Sequence, residues 1–285
     1  MSTFVSPKLN ALIFLGAMLL FLPTWLWLGE AWWSDPYYSH GPLVLVVSLY
    51  FFWARRNVIA NPAGAKQPPT SNLQLPISNT EIASSHPSTP LRTLVAMTLV
   101  LAALAIHLWA TWWRAYYISA LTIPFLFLGL LLALYGARTA KNFLFPLAFL
   151  ILMVPLPLAE KFGPMLEGWT AVSATQVARF IGVAATNDGA QVYLPNAAFT
   201  VGIPCGGLSS AIAIITLATL FAYIVQGSIL ARAAIFFAAI PVALAANTLR
   251  LSLLFAIAQR WGEQIGMDYF HSWSSPVLFL SAFGL

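Results

Sequence analysis

Charge is what this sequence most lacks. Thirteen Lys or Arg and eight Asp or Glu among 285 residues make it 7% charged, against about 25% in ordinary soluble domains. So few solvated groups exclude a conventional water-soluble globule. Cysteine is scarcer still. Cys205 is the only one, so no internal disulfide can form, and cysteine usage says nothing of an oxidising compartment. Histidine is limited to His40, His86, His107 and His271. They are scattered without metal-ligand spacing, so neither a metal nor a cofactor is expected. His107 falls inside an apolar run and His86 in a polar stretch, and neither stands out. The net charge of +5 is a weak argument for nucleic acid, and no nucleic-acid partner is expected. It fits better the excess of Lys and Arg on cytoplasmic loops of membrane proteins.

What fills the chain instead is apolar, 60% of all residues. A membrane-crossing helix needs about 20 mostly apolar residues. Eight candidate spans follow: 9–28, 41–54, 93–111, 116–135, 143–158, 205–225, 233–257 and 273–285. The first is longer than a signal-peptide core and lacks a small-x-small cleavage site after it, so it reads as a retained membrane helix. With the amino terminus in the cytoplasm, eight cations fall inside: Lys8, Arg55, Arg56, Lys66, Arg92, Arg138, Lys141 and Arg232. The other five, Arg114, Lys161, Arg179, Arg250 and Arg260, fall outside or in the outer half. That bias sets the orientation and places Cys205, Arg250 and His271 at the outer face.

Two stretches read differently. Residues 57–91 are rich in Pro, Ser, Asn and Thr and are expected to be a disordered cytoplasmic linker, too polar to bury a core. Residues 159–204 are expected at the outer face. Lys161 to Thr186 has helical spacing of Phe162, Met165, Leu166, Trp169, Val172, Val177 and Phe180, as in an interfacial amphipathic helix. Residues 190–202 then read as a short hairpin turning at Pro195-Asn196. There are no convincing internal repeats. The expected fold is therefore an all-α membrane protein of about eight transmembrane helices, one polytopic domain over 1–285. The amphipathic helix and short β-hairpin precede the helix that begins at Cys205.

The lone thiol lies in Gly202-Ile203-Pro204-Cys205-Gly206-Gly207-Leu208-Ser209-Ser210, where a polar loop enters an apolar helix. A helix amino terminus offers unpaired N–H groups and a positive dipole end, both of which lower a thiol pKa. Gly206 and Gly207 would let a peptide approach closely. Cysteine is equally a small residue often buried in cores, and on this segment alone that reading stays open. Arg250 lies inside an apolar stretch, where a guanidinium costs at least ~2.5–3.5 kcal/mol and normally faces a cavity or partner. The competing reading is an Arg that snorkels to headgroups. Its distance from the helix end and the presence of Asn247 three residues earlier, on the same helix face, weigh against that. His271, at the mouth of the last apolar run, can take a thiol proton and return it to a leaving amine, or anchor a headgroup. The segment Asp35-Pro36-Tyr37-Tyr38-Ser39-His40-Gly41 serves equally as an aromatic interface anchor or as a second wall of the site.

Taken together these segments resemble the exosortase/archaeosortase family of multi-pass membrane cysteine transpeptidases. The resemblance rests on Tyr38-Ser39-His40-Gly41, Pro155-Leu156-Pro157, Pro204-Cys205-Gly206-Gly207-Leu208-Ser209-Ser210, Ala246-Asn247-Thr248-Leu249-Arg250 and Phe270-His271. Their order and their placement at the outer ends of predicted helices make it specific, and it covers most of the chain outside 57–91. The family commonly has Cys-Ser-Gly where this chain has Cys205-Gly206-Gly207, and often a basic or amide residue where Ser209 stands. The nucleophile is kept. The resemblance implies a catalytic Cys205, Arg250 and His271, with Asn247, Gly206, Gly207, Ser39 and His40 supporting or binding substrate. Its substrates would be membrane-anchored exported proteins with a carboxy-terminal sorting signal, typically Pro-Glu-Pro, then a transmembrane helix and a basic tail. Cleavage would pass them to a surface acceptor of unknown identity. The implied location is the prokaryotic cytoplasmic (inner) membrane, with the lipid bilayer as surroundings and the site on the extracytoplasmic side.

Two other readings remain. A polytopic transporter or channel without covalent catalysis would spread polar residues along several helices near mid-membrane, whereas here the ionisable residues crowd the outer ends. An intramembrane protease or acyltransferase using the same thiol differs in substrate rather than in site.

Overall fold

The computed structural model describes residues 7–35, 37–57, 89–202 and 206–284. For Pro7, Thr89, Pro90, residues 158–160, His271, Ser274, Ser275, Phe279 and Phe283 it describes the backbone alone. Most of the expected linker 57–91 lies outside the described residues, and so does Cys205.

The chain is mostly helical. In order come α1 (Pro7–Leu20), α2 (Leu22–Ser34), α3 (Gly41–Ala54), α4 (Thr89–Trp112), α5 (Tyr116–Asn142), α6 (Leu144–Phe149) and a 3-10 turn, Leu150–Met153. Then follow α7 (Leu158–Phe180), β1 (Thr186–Asp188), β2 (Gln191–Leu194), β3 (Ala197–Thr200), α8 (Leu208–Ile224), α9 (Ile229–Trp261), α10 (Glu263–Ser272) and α11 (Ser274–Gly284). Among the described residues, three helices are long and apolar enough to cross a membrane: α4 from Leu91, α5 and α9. The count is four if α1 and α2, bent by 58° at Phe21, form one broken span. The other apolar runs form shorter helices, among them Gly41–Ala54, Leu144–Met153 and Leu208–Ile224. At 14 residues, α3 rises only about 21 Å, short of the ~30 Å hydrocarbon core.

Side chains are sorted as lipid requires. Many large apolar groups point outward, as at Leu26, Ile229 and Phe237, while the buried positions of α4 are Ala96, Ala103, Ala110 and His107. Between helices in a membrane no water is expelled, so small residues that let backbones approach are what the interfaces select.

The chain divides into two compact units, Met1–Ala31 with Gly41–Val154, and Trp32–His40 with Pro155–Leu285. In the first, α1 and α2 run antiparallel to α5. Asn10 Nδ2 donates to the Tyr135 hydroxyl (3.1 Å), Phe14 stacks on Phe127, Thr24 Oγ1 bonds Ser119 Oγ (2.6 Å) and Trp27 stacks on Tyr116. At the bend Phe21 stacks on His107 with centroids 3.8 Å apart, and His107 Nδ1 bonds Ser119 Oγ at 2.7 Å.

In the second unit α7 packs on α9 through Ala171, Ala174 and Ala178, and Ser252 Oγ of α9 donates to the Ala174 carbonyl at 3.1 Å. In place of a two-stranded hairpin, residues 186–200 form a three-stranded antiparallel sheet in the order β1-β2-β3. Val192, Leu194 and Phe199 face inward to Leu251, Leu254 and Phe255 of α9, with Phe199 and Phe255 ring centroids 5.9 Å apart. Asn196, in the β2–β3 turn, donates to the carbonyls of Ala258 and Gln259. A second apolar cluster joins α8, α9 and α11 through Ile214, Ala218, Ala239, Ala243, Ala246 and Leu278.

Candidate active site

The site residues that the structure describes all belong to the second unit, and Asn247, Arg250 and Gly207 lie on or against one stretch of α9. On that helix Asn247 and Arg250 are both buried, 1% and 5% exposed. Three residues of helix separate them, so they lie one above the other on the same face. Asn247 reaches the start of α8 and Arg250 reaches α10.

At α8 the contact is with Gly207. Its φ of 82° is left-handed, and a Cβ built there would run into the Asn247 amide, 2.8 Å from Cγ. Only glycine satisfies both conditions. Its neighbour Gly206 is held from three directions. Gly206 N–H donates to the Gly202 carbonyl at 2.8 Å, its own carbonyl accepts from Thr170 Oγ1 at 3.2 Å, and its Cα faces the Glu167 stem. A Cβ on Gly206 would come within 2.6 Å of Glu167 Cγ. Gly206 and Gly207 thus lie between α7 and α9.

The contact at α10 starts from Gly262. The chain turns there with φ of 96°, and Gly266 lets α10 lie close on α9. A Cβ at Gly266 would stand 2.9 Å from Ala258 Cβ. Running back along α9 in this way, α10 sets the Phe270 ring under the Arg250 guanidinium, with Cζ 5.0 Å from the ring centroid. His271 is the next residue of α10. Its side chain, like Cys205, lies outside the described residues. Tyr269 sits on the other side of Phe270. Burial raises its phenol pKa and the Arg250 charge opposes that rise. Its hydroxyl is buried without a hydrogen-bond partner among the described residues.

A third wall comes from the segment before α3. Tyr37 and Tyr38 are buried and pack against Trp32 and against Leu208 and Ile212 of α8. Tyr38 donates to the Leu156 carbonyl at 2.7 Å, inside the Pro155-Leu156-Pro157 run. Tyr37 lies beside Glu167. Its pKa is raised by burial first, then by the Glu167 and Asp35 charges. Asp35 also accepts from the Tyr37 N–H at 2.8 Å. Ser39 is exposed, and the His40 ring lies 6.1 Å from that of Tyr38.

The structure therefore joins Asn247 to Gly207, Arg250 to the helix that carries His271, and Gly206 to α7. It adds residues that spacing did not single out: Glu167, Thr170 and Tyr269. Glu167 and Thr170 are one helical step apart, but nothing in the chain says that this face of α7 meets a loop 36 residues later. Among the described residues no group of three or more His, Cys, Asp or Glu stands close enough to hold a metal ion.

A helical membrane protein with a polar cluster where the start of one apolar helix meets two neighbouring helices is the class these features define. Within that class the chain matches the family model described as "Transmembrane exosortase (Exosortase_EpsH)" over residues 32–285, and it belongs to that family. No curated protein and no solved structure matches it.

Proposed function

We propose that this protein is a membrane-embedded cysteine transpeptidase or protease that cleaves carboxy-terminal sorting signals, of Pro-Glu-Pro type or similar, from exported proteins. Cys205 is the nucleophile, Arg250 stabilises the oxyanion, and His271 moves the proton. One observation carries the reading. A single helix, α9, touches Gly207, two residues after Cys205, and Phe270, one residue before His271. These two contacts beside Cys205 and His271 are what supports assigning the three residues to one site.

In the first half-reaction the Cys205 sulfur adds to the scissile carbonyl carbon while His271 accepts the thiol proton. The carbonyl oxygen takes the electron pair as an oxyanion and meets the Arg250 guanidinium, a fixed charge in a water-poor site. The C–N bond then breaks, His271 returns the proton to the leaving amine, and a thioester remains. In the second half an amine or hydroxyl acceptor attacks the thioester carbon, gives its proton to His271 and frees the thiol. Water in the acceptor's place gives hydrolysis. Asn247 and the two glycines shape the floor on which the substrate peptide lies, and the 37–40 segment forms its far wall.

On this reading the shorter apolar helices also lie in the membrane and complete the eight passes of one polytopic domain. Residues 57–91 are the cytoplasmic linker, and 159–204 stand at the outer face of a prokaryotic cytoplasmic membrane. The test is Cys205→Ala expressed with a tagged substrate that carries a sorting signal. We expect accumulation of the uncleaved precursor, and normal processing in that variant would sink the nucleophile assignment.

A further inference from the structure

Strand β3 runs toward Cys205, and one of its edges is open. Its register with β2 pairs Leu194 with Ala197, Tyr193 with Ala198, Val192 with Phe199 and Gln191 with Thr200. One residue further on, Val201 N–H donates to the Ala190 carbonyl at 2.8 Å. Hydrogen-bonded pairs alternate along an antiparallel ladder, so the backbone groups of Ala197, Phe199 and Val201 point to β2. Those of Ala198 and Thr200 point the other way, where the sheet order β1-β2-β3 leaves no further strand. Both residues are exposed. Among the described residues, the Ala198 N–H and carbonyl and the Thr200 N–H have no hydrogen-bond partner. The Thr200 carbonyl accepts from Gly202 N–H at 2.9 Å.

This edge is fixed in place and leads to the site. Phe199 and Val201 are buried in the cluster that includes Leu251, Leu254 and Phe255 of α9, and Asn196 ties the β2–β3 turn to the end of the same helix. A chain that pairs with a preorganised edge does not have to order it first. Gly202 lies two residues past Thr200, at most ~7 Å of extended chain, and its carbonyl accepts from Gly206 N–H at 2.8 Å. Gly206 is the residue bonded to Cys205. An unpaired strand edge is a template for another extended chain, and main-chain pairing of this kind holds peptides elsewhere.

We propose that β3 is the docking edge for the substrate. The stretch of the exported precursor just ahead of its transmembrane helix adds to β3 as a fourth strand and is led along it to Cys205. The pairing is antiparallel, the more stable direction. One precursor residue exchanges two hydrogen bonds with Ala198, and the next but one accepts from Thr200 N–H. Proline is tolerated at every second precursor position, where its missing N–H would point away from β3. The identity of the peptide rests on the transpeptidase reading.

The experiment uses the full chain carrying Cys205→Ala and Thr200→Cys, in membranes, with the tagged precursor of the nucleophile test. The precursor bears single cysteines at successive positions ahead of its transmembrane helix. Neighbouring residues of a strand face opposite sides, so oxidation with copper-phenanthroline should join position 200 to every second precursor position. Crosslinks of equal yield at all positions, or none, would overturn the docking edge. So would a disulfide between two copies of the chain that forms without precursor, because the edge would then pair with itself. Ala198→Pro, made with Cys205 in place, removes the outward N–H and costs no bond to β2. It should slow processing about fivefold or more, the weight of one net hydrogen bond, while a maleimide still labels Cys205. Processing at the wild-type rate in that variant would also count against the edge. Crosslinking needs no catalysis, so alternating crosslinks together with normal processing by Cys205→Ala would sink the nucleophile and keep the edge.

Discussion

At Gly207 two demands meet in one residue, a left-handed backbone and a side chain of no size. An L residue in that conformation costs about 1–2 kcal/mol, and the collision with Asn247 adds an overpacking penalty of ~1–3 kcal/mol. Gly207→Ala should therefore lower the melting temperature of the protein in nanodiscs. Adding Asn247→Ala should recover the steric part but not the backbone part, and equal losses in the single and double variants would show that the two residues do not touch. Arg250→Ala should reduce precursor processing by about 10²-fold, as removal of one oxyanion partner does elsewhere. Tyr37 offers a pH readout. Its folded pKa is raised, so it contributes stability in full below the free phenol value of about 10 and loses it as pH rises beyond. Unfolding curves of the wild type should shift down as pH rises above about 10, and Tyr37→Phe should reduce that shift. At this scale Asn247 and Arg250 were legible as polar groups that stand out in an apolar chain, and both are buried on α9. Glu167 was not, since its role depends on where α7 lands.

The same helix shows what periodicity can and cannot tell in a membrane. The stripe of Phe162, Met165, Trp169, Val172 and Phe180 is visible in the sequence, and α7 forms over most of the expected range. Yet that stripe faces outward, with Trp169 64% and Phe180 92% exposed, while Ala171, Ala174 and Ala178 are fully buried. In water the large apolar face goes in; beside lipid it has no reason to, and close backbone approach decides instead. Ala174→Leu should consequently wedge α7 off α9, costing about 1–3 kcal/mol and slowing processing as Thr170 leaves Gly206. Trp169→Leu, on the outward face, should leave both melting temperature and processing unchanged. The three-stranded sheet was half legible. The turn at Pro195-Asn196 is written in its residues, but β1 is only three residues long and is fixed by pairing rather than by pattern.

For the molecule as a whole, a single cysteine makes sidedness directly measurable. A membrane-impermeant maleimide added to intact spheroplasts should label the wild type and not Cys205→Ala. Labelling only after lysis would reverse the proposed orientation. The fold class was the most legible feature, because scarcity of charge leaves few alternatives. Helix lengths were the least legible, since apolar runs mark what lipid tolerates and not where a helix stops.

The length of α9 has a further consequence. Its 33 residues rise about 50 Å, well beyond a hydrocarbon core of ~30 Å. Counted from Ile229, Arg250 stands about 32 Å up the helix. On the proposed orientation that is the height at which acyl chains give way to headgroups. The helix then acts as a ruler, and bilayer thickness decides whether the mouth of the site opens to water or to hydrocarbon. Processing measured in vesicles of increasing acyl-chain length should peak and then fall as the thicker bilayer submerges Arg250, whereas a rate indifferent to thickness would mean that α9 tilts to keep the site at the surface.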